Sequence, residues 1–177
     1  MKSDIFNNEL NLIKNHDVRK WTKDTLENAP DYFWIAQASS SGKYHPACTN
    51  RKGGLLIHVK RVVYLANRLC EGWGLFGIER DIVLSACILH DIAKTADKDF
   101  IYHAINAEKY YADHNKNDII YCKIDESICH HMGRWTIDDI KKPIVDYSLI
   151  ELAVYTCDYM ATTKTLVTPV DNEEINV

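Results

Sequence analysis

Apolar residues recur at helical spacing along most of the chain, and this periodicity is the feature that most restricts its fold. In the stretch LLIHVKRVVYLANRLC, Leu55, Val59 and Val62 follow one another at intervals of three or four residues, which places them on one face of an α-helix. Alternating runs typical of β-strands are nearly absent, so the sequence predicts an all-α fold, a compact single-domain helical bundle. The predicted helices are residues 5–28, the segment from Gly53–Gly54 to about Gly72–Gly74, and residues 79–95, 102–114, 118–132 and 147–164.

The length of 177 residues predicts one domain, residues 1–177. Residues 53–163 hold most of the predicted helices and form its core. Residues 1–52 are predicted to be an N-terminal helix and a long loop (31–53) that pack on this core, and loops of this length inside a domain are often functional. Residues 164–177 form an acidic tail that we expect to be loosely held.

The composition is that of a soluble globular protein and argues against several functions. The net charge of -4 argues against binding to extended double-stranded nucleic acid. It does not exclude a small basic site for one phosphate group. No stretch reaches the roughly 18 apolar residues of a membrane span, and the N-terminus has no apolar signal region. We therefore expect a cytoplasmic protein without membrane association. The six cysteines include no CxxC pair and are predicted to be core residues in a reducing compartment; no oligomeric state is predicted.

Polar side chains interrupt the apolar faces of several predicted helices. A buried carboxylate without a partner is unfavourable or takes up a proton, so histidines and aspartates on facing apolar stripes indicate a shared divalent cation. Imidazole and carboxylate ligands together suit Mn, Fe, Co, Ni or Zn. The residues concerned are His58, the adjacent pair His90 and Asp91, the adjacent pair His130 and His131, and Asp158.

The order of these residues resembles the H…HD…D pattern of the HD-domain metal-dependent phosphohydrolase superfamily over residues 53–163, with ILHDIAK as the HD motif. His103 and the later histidine pair are similar to the dinuclear branch, which includes HD-GYP phosphodiesterases and symmetrical dinucleoside-tetraphosphate hydrolases. The segment YHPACTNRKGGLLIH looks like the run before the first histidine of HD-type 3′–5′ exoribonucleases. MGRWTIDD replaces the GYP signature, which argues against a cyclic-di-GMP enzyme. Lys94 stands where the triphosphohydrolase branch often carries an acid.

The resemblance implies an HD-type helical fold and a site for two divalent transition-metal ions. Asp91, with two carboxylate oxygens, would bridge the ions and act as a catalytic residue. Lys94 would direct its ammonium at the anion that the ions hold, and so would serve in both catalysis and substrate binding. The implied ligands are His58, His90, Asp91 and Asp158 for the first ion, and Asp91, His103 and one or both of His130 and His131 for the second.

Basic and aromatic residues outside the ligand pattern are candidates for substrate binding. Arg134 suits bidentate contact with phosphate and Trp135 suits stacking on a base; the alternative interpretation is an exposed arginine beside a core tryptophan. Arg51, with Lys52, is placed to reach phosphate at the mouth of the site, or is a solvated loop charge. His45 is interpreted as a loop histidine and not as a ligand.

Together these features predict a hydrolase that uses metal-activated water on a phosphoester or phosphoanhydride of a nucleotide or short oligonucleotide. Two alternatives belong to other classes: an HD-fold nucleotide-binding regulatory module without turnover, and an HD-type di-iron oxygenase. The complete ligand set argues against the first alternative. Lys94 and the Arg134–Trp135 pair favour a phosphate substrate over the second.

Overall fold

A computed structural model describes residues 1–39, 42–95 and 102–175, so positions 40–41 of the predicted loop and 176–177 of the predicted tail lie outside the described residues. Within the described ranges the chain forms α-helices and short 3₁₀ turns, and no β-strand. The all-α prediction is confirmed. The α-helices are α1 (Asn7–Leu10), α2 (His16–Glu27), α3 (Asp31–Ile35), α4 (Gly54–Trp73), α5 (Gly77–Leu89), α6 (His103–Asn106), α7 (Ile119–His130) and α8 (Leu149–Ala161).

Four helices form the centre of the fold, because α5 and α8 each pack against the other and against both α4 and α7. The apolar stripe of α4 faces this centre, and Leu55, Val59 and Val62 are completely buried. Helix α2 packs on α5 and brings the N-terminal segment onto the same hydrophobic cluster. Among the described residues, no helix is both long enough and apolar enough to cross a membrane.

The N-terminal segment is broken where its periodicity predicts one helix over residues 5–28. A 3₁₀ turn over Lys2–Phe6 leads into α1, and α2 begins only at His16. The break has a local cause, since the side chain of Asn15 accepts hydrogen bonds from two backbone N–H groups in the first turn of α2, at 3.0 Å each. An asparagine in this position caps and starts a new helix.

The segment predicted as a loop, residues 31–53, contains α3 and a short 3₁₀ turn. It is held against the start of α4 by a hydrogen bond from the backbone N–H of Leu55 to the carbonyl oxygen of Ala36, at 2.9 Å. Gly54 permits this close approach, because a Cβ atom there would lie 2.0 Å from the carbonyl oxygen of Thr49. The loop therefore packs beside the first turns of α4.

Helix α5 and the segment after it also differ from the predicted bounds. The predicted helix over 79–95 ends at Leu89, and the next four residues form turns, so His90 and Asp91 both lie just after the helix and not within it. The predicted helix over 102–114 is the short α6 followed by a 3₁₀ turn over Ala107–Tyr110.

The described part of the C-terminal tail, residues 164–175, is anchored, which differs from the expectation of a loosely held tail. Arg61 on α4 is completely buried, and a buried guanidinium is tolerated only when its N–H groups find acceptors. It donates to the carbonyl oxygens of Ala161 (3.1 Å), Thr163 (3.3 Å) and Leu166 (3.0 Å) and to the carboxylate of Asp171.

Candidate metal centre

The structure gathers six of the side chains that the sequence singles out around the C-terminal end of α5. They come from α4, α6 and α8, from the turn that follows α5, and from the residue that follows α7, so the packing of five helices positions them. They form two groups, in each of which the ligand atoms lie within 4.8 Å of one another: His58, His90 and Asp158 in the first, and Asp91, His103 and His131 in the second.

The first group joins α4, α5 and α8. Nε2 of His58 lies 3.0 Å from Oδ1 of Asp158 and 3.3 Å from Nε2 of His90. Nε2 of His90 lies 3.7 Å from the same carboxylate oxygen. Two imidazole nitrogens and a carboxylate oxygen at these separations are a set of donors that a divalent transition metal accepts.

The second group has the same composition. Nε2 of His103 lies 2.9 Å from Oδ1 of Asp91 and 3.0 Å from Nε2 of His131. Nε2 of His131 lies 3.9 Å from the same oxygen of Asp91. The second group thus offers two nitrogens and one oxygen as well.

Asp91 stands between the two groups. Its Oδ1 faces His103, whereas its Oδ2 lies 3.4 Å from Nε2 of His90 and 3.8 Å from Nε2 of His58. One carboxylate oxygen is therefore directed to each group, which is the arrangement that a bridging ligand requires.

Backbone carbonyls orient two of the imidazole rings. Nδ1 of His90 donates to the carbonyl oxygen of Cys87 at 2.8 Å, and Nδ1 of His131 donates to that of Ile128 at 2.6 Å. Since a carbonyl oxygen only accepts, each neutral imidazole carries its hydrogen on Nδ1 and presents the lone pair of Nε2 to its group. Metal-ligating histidines are oriented in this way, so the donor set fits divalent cations.

The two imidazoles that are most affected by burial are held neutral. Burial lowers the pKa of His58. Burial and two neighbouring imidazoles lower the pKa of His131 to about 3. A neutral imidazole is the form that binds a metal, so neither ring has to lose a proton at neutral pH.

The two carboxylates are held ionised. Burial by itself would raise the pKa of Asp91, but the ammonium of Lys94, followed by the neighbouring His90 and a hydrogen bond from His103, holds it well below its usual range. Burial is likewise outweighed at Asp158 by the hydrogen bond from His58, and its pKa is also lowered. The carboxylates in turn raise the pKa of His90 against the effect of burial. The acidic ligands are therefore in their binding form as well.

The structure does not bring His130 into either group. Its Nδ1 lies 2.6 Å from Oε1 of the buried Glu151, and its Nε2 lies 3.1 Å from the carbonyl oxygen of Ile140. Both ring nitrogens lie at hydrogen-bond distance from oxygen atoms outside the two groups, so neither is directed at a cation there. Of the two candidates for the second group, the structure places His131 there and gives His130 a role in joining α7 to α8.

Lys94 lies at the edge of the ligand groups. Its Nζ donates to Oδ2 of Asp91 at 2.8 Å, and its side chain is one-fifth exposed. The side chain is thus partly open to solvent while its ammonium remains beside Asp91. It can therefore attract an anionic group that reaches the site.

The remaining substrate-binding candidates are all exposed. The guanidinium of Arg134 lies over the ring of Trp135, 4.8 Å from its centroid, and Trp135 is 67% exposed, so the interpretation of Trp135 as a core residue is wrong. Arg51 donates to the carbonyl oxygen of Glu173 at 2.8 Å and thereby joins the loop to the C-terminal segment. Within the described part of the chain, no hydrogen bond, ion pair or ring contact joins these three residues to the two ligand groups.

His45, interpreted from the sequence as an ordinary loop histidine, packs against the first group. Its ring centroid lies 5.1 Å from that of His58. Burial, followed by the neighbouring His58 and the ammonium of Lys94, lowers the pKa of His45 to about 3, so its imidazole is neutral. No periodicity in the sequence indicates this contact, because it depends on the path of the loop before α4.

Comparison with known protein families agrees with this geometry. A family model described as HD domain matches residues 55–163. The chain belongs to the HD-domain family. The match confirms the resemblance to the HD-domain metal-dependent phosphohydrolase superfamily without selecting a branch within it. Searches of curated proteins and of solved structures give no significant match.

Proposed function

We propose that this HD-domain protein is a metal-dependent phosphohydrolase that cleaves a phosphoester or phosphoanhydride bond in a nucleotide or short oligonucleotide. The observation that carries the proposal is the pair of ligand groups on either side of Asp91. His58, His90 and Asp158 would hold one divalent ion, His103 and His131 would hold a second, and Asp91 would serve both. When bound, such ions lower the pKa of water toward neutrality and draw negative charge from phosphate oxygens.

The residues around the ligands support phosphate chemistry. The ammonium of Lys94 supplies a positive charge that would bind a phosphate oxygen and stabilise the charge that develops there during hydrolysis. An oxygenase acting on an uncharged substrate has no need of this ammonium.

The nucleotide part of the proposal rests on the Arg134–Trp135 pair. A largely exposed indole with a guanidinium stacked on it offers a flat surface for a base and a cation for a phosphate. The pair follows His131 closely in the chain, and in this proposal the base of the substrate would stack on it.

A substrate panel tests this function. The full chain, stripped and reloaded separately with Mn, Co, Ni, Fe or Mg, would be incubated with nucleoside mono-, di- and triphosphates, cyclic dinucleotides, dinucleoside polyphosphates, short RNA and short DNA. Product masses would identify the bond that is cleaved. We expect metal-dependent cleavage of at least one class, and no cleavage by Asp91→Asn under the same conditions.

Two outcomes would contradict the proposal. Tight binding of a nucleotide without cleavage under any metal would indicate a regulatory module. Dioxygen consumption by the iron-loaded protein, with no phosphate compound cleaved, would indicate a di-iron oxygenase.

A further inference from the structure

His45 lies beside the first ligand group and is held there by its loop. Its ring meets that of His58 at an interplanar angle of 71°, edge to face. The residue is half-buried, and its Nδ1 is buried without a hydrogen-bond partner among the described residues. Burying a ring nitrogen without a hydrogen-bond partner is energetically unfavourable. The contacts of His45 within the described chain therefore do not account for its hydrogen-bonding capacity.

Hydrogen bonds within the loop hold His45 in place. The side-chain amide of Asn50 donates to the carbonyl oxygens of Gly42 (3.2 Å) and His45 (3.4 Å). The next residue, Pro46, accepts from the backbone N–H (3.1 Å) and the hydroxyl (2.8 Å) of Thr49. An ordered turn therefore holds the imidazole in place. A side chain held in this way can contact a ligand without a change in the backbone.

The nitrogens of His45 are not members of either ligand group, although its ring packs against that of His58, which belongs to the first group. A neutral imidazole has one N–H and one lone pair. Leaving a buried N–H unpaired is rarer in proteins than leaving an acceptor unpaired, which favours the tautomer with the lone pair on Nδ1 and the hydrogen on Nε2.

We propose that His45 is a substrate-contacting residue, whose Nε2–H donates a hydrogen bond to an oxygen of the phosphate group that binds beside His58. This inference rests on the proposed function. It makes His45 the second side chain, beside that of Lys94, that would bind phosphate. It also gives the loop before α4 a function: a neutral donor from the loop and a cation from the turn after α5 would contact the same anion.

Phosphate binding separates this role from a purely structural one. The probe is inorganic phosphate, titrated calorimetrically into the manganese-loaded full chain. His45→Phe keeps a ring beside His58 and removes the N–H, whereas His45→Gln keeps a donor. His16→Ala, which changes an exposed histidine on α2, is the matched control. Metal content and melting temperature are measured for every variant.

We expect His45→Phe to weaken phosphate binding by about tenfold, the loss of one hydrogen bond to an anion. His45→Gln should stay within about threefold of the wild type and His16→Ala should not change, all with unaltered metal content. Wild-type affinity in His45→Phe would overturn the inference, and so would loss of a metal ion from that variant, which would make His45 a ligand.

Because the readout is binding, a wild-type protein that binds phosphate but cleaves nothing refutes the proposed function alone. A wild-type protein that fails to bind phosphate refutes the role of His45.

Discussion

Lys94 reaches back to Asp91 through two hydrogen bonds: its Nζ donates to Oδ2 at 2.8 Å and its backbone N–H donates to the carbonyl oxygen at 3.0 Å. The turn after α5 thus places an ammonium beside the carboxylate that faces both ligand groups. The lysine of the motif HDIAK is therefore positioned by the same turn that positions the central acid.

We predict that Lys94→Met keeps the metal ions and loses most of the turnover. The substitution removes the charge that would bind phosphate while preserving much of the side-chain volume, and loss of one group that stabilises developing charge typically reduces kcat by about 100-fold or more. Metal content by elemental analysis and kcat on the substrate found by the panel check this. A variant that loses its metals, or that turns over at the wild-type rate, would show that Lys94 has a different role.

The adjacent histidines at the end of α7 are predicted to respond differently to substitution. His131→Ala removes a nitrogen of the second group, so the number of bound ions should fall while the first group keeps its ion. His130→Ala leaves both groups intact and deprives the buried Glu151 of a partner, so it should retain the ions and lose about 1–3 kcal/mol of stability.

Elemental analysis and denaturant unfolding of both variants separate these two roles. The opposite pattern, with the ions lost in His130→Ala and kept in His131→Ala, would require α7 to present the other histidine to the metals.

Arg61→Met is predicted to be strongly destabilising. The substitution leaves the carboxylate of Asp171 and three carbonyl oxygens without their donor, and breaking a buried ion pair in this way costs about 3–5 kcal/mol. Arg68→Ala is the matched control on the same helix, because Arg68 is exposed and lies over the ring of Tyr64; it should change stability by less than about 0.5 kcal/mol. Equal effects of the two substitutions on urea unfolding would refute the anchoring role.

The fourth prediction concerns acid stability through Glu151. Burial would raise the pKa of this carboxyl, but hydrogen bonds from Lys142, Ser148 and His130 lower it from the usual 4.5 to about 2. Because the folded-state pKa is depressed, the carboxylate stabilises the fold above pH 4.5, and this contribution is lost as the pH falls through 4.5 toward about 2.

Denaturant unfolding of metal-free wild type and Glu151→Gln over this pH range measures that contribution. The difference in free energy of unfolding should be constant above pH 4.5 and shrink as the pH falls. A difference that stays the same over the whole range would mean that the charge of Glu151 does not contribute to stability.

The histidine pair shows what the sequence could decide and what it could not. His131 continues the apolar stripe of α7 three residues after Ile128, which is the position that faces the core. The resemblance admitted both histidines, and the partner that occupies His130 is Glu151, twenty-one residues later on another helix. A pairing at that sequence separation leaves no periodic signal, so the sequence places His131 on the core-facing stripe but does not show that Glu151 pairs with His130.

The fold was predictable where periodicity is long and unbroken, as in α4, and less so where single polar side chains interrupt it. The cap formed by Asn15 divides the predicted first helix. The anchored tail depends on Arg61, whose acceptors lie about a hundred residues away in the chain. The position of His45 likewise depends on the close approach that Gly54 permits. Each of these features arises from the contacts of a single residue and not from a repeating pattern.

The central claim is that Asp91 joins two cation sites, and the metal content of Asp91→Asn tests it most directly. The wild-type chain and the variant would be stripped with chelator, loaded with manganese, freed of excess metal and analysed for bound ions per chain. The account predicts two ions in the wild type and fewer than one in the variant, because the amide removes a negative charge that both groups share. His114→Ala, a histidine outside both groups, should keep two. Full metal content in Asp91→Asn, or no bound ion in the wild type, would contradict the account.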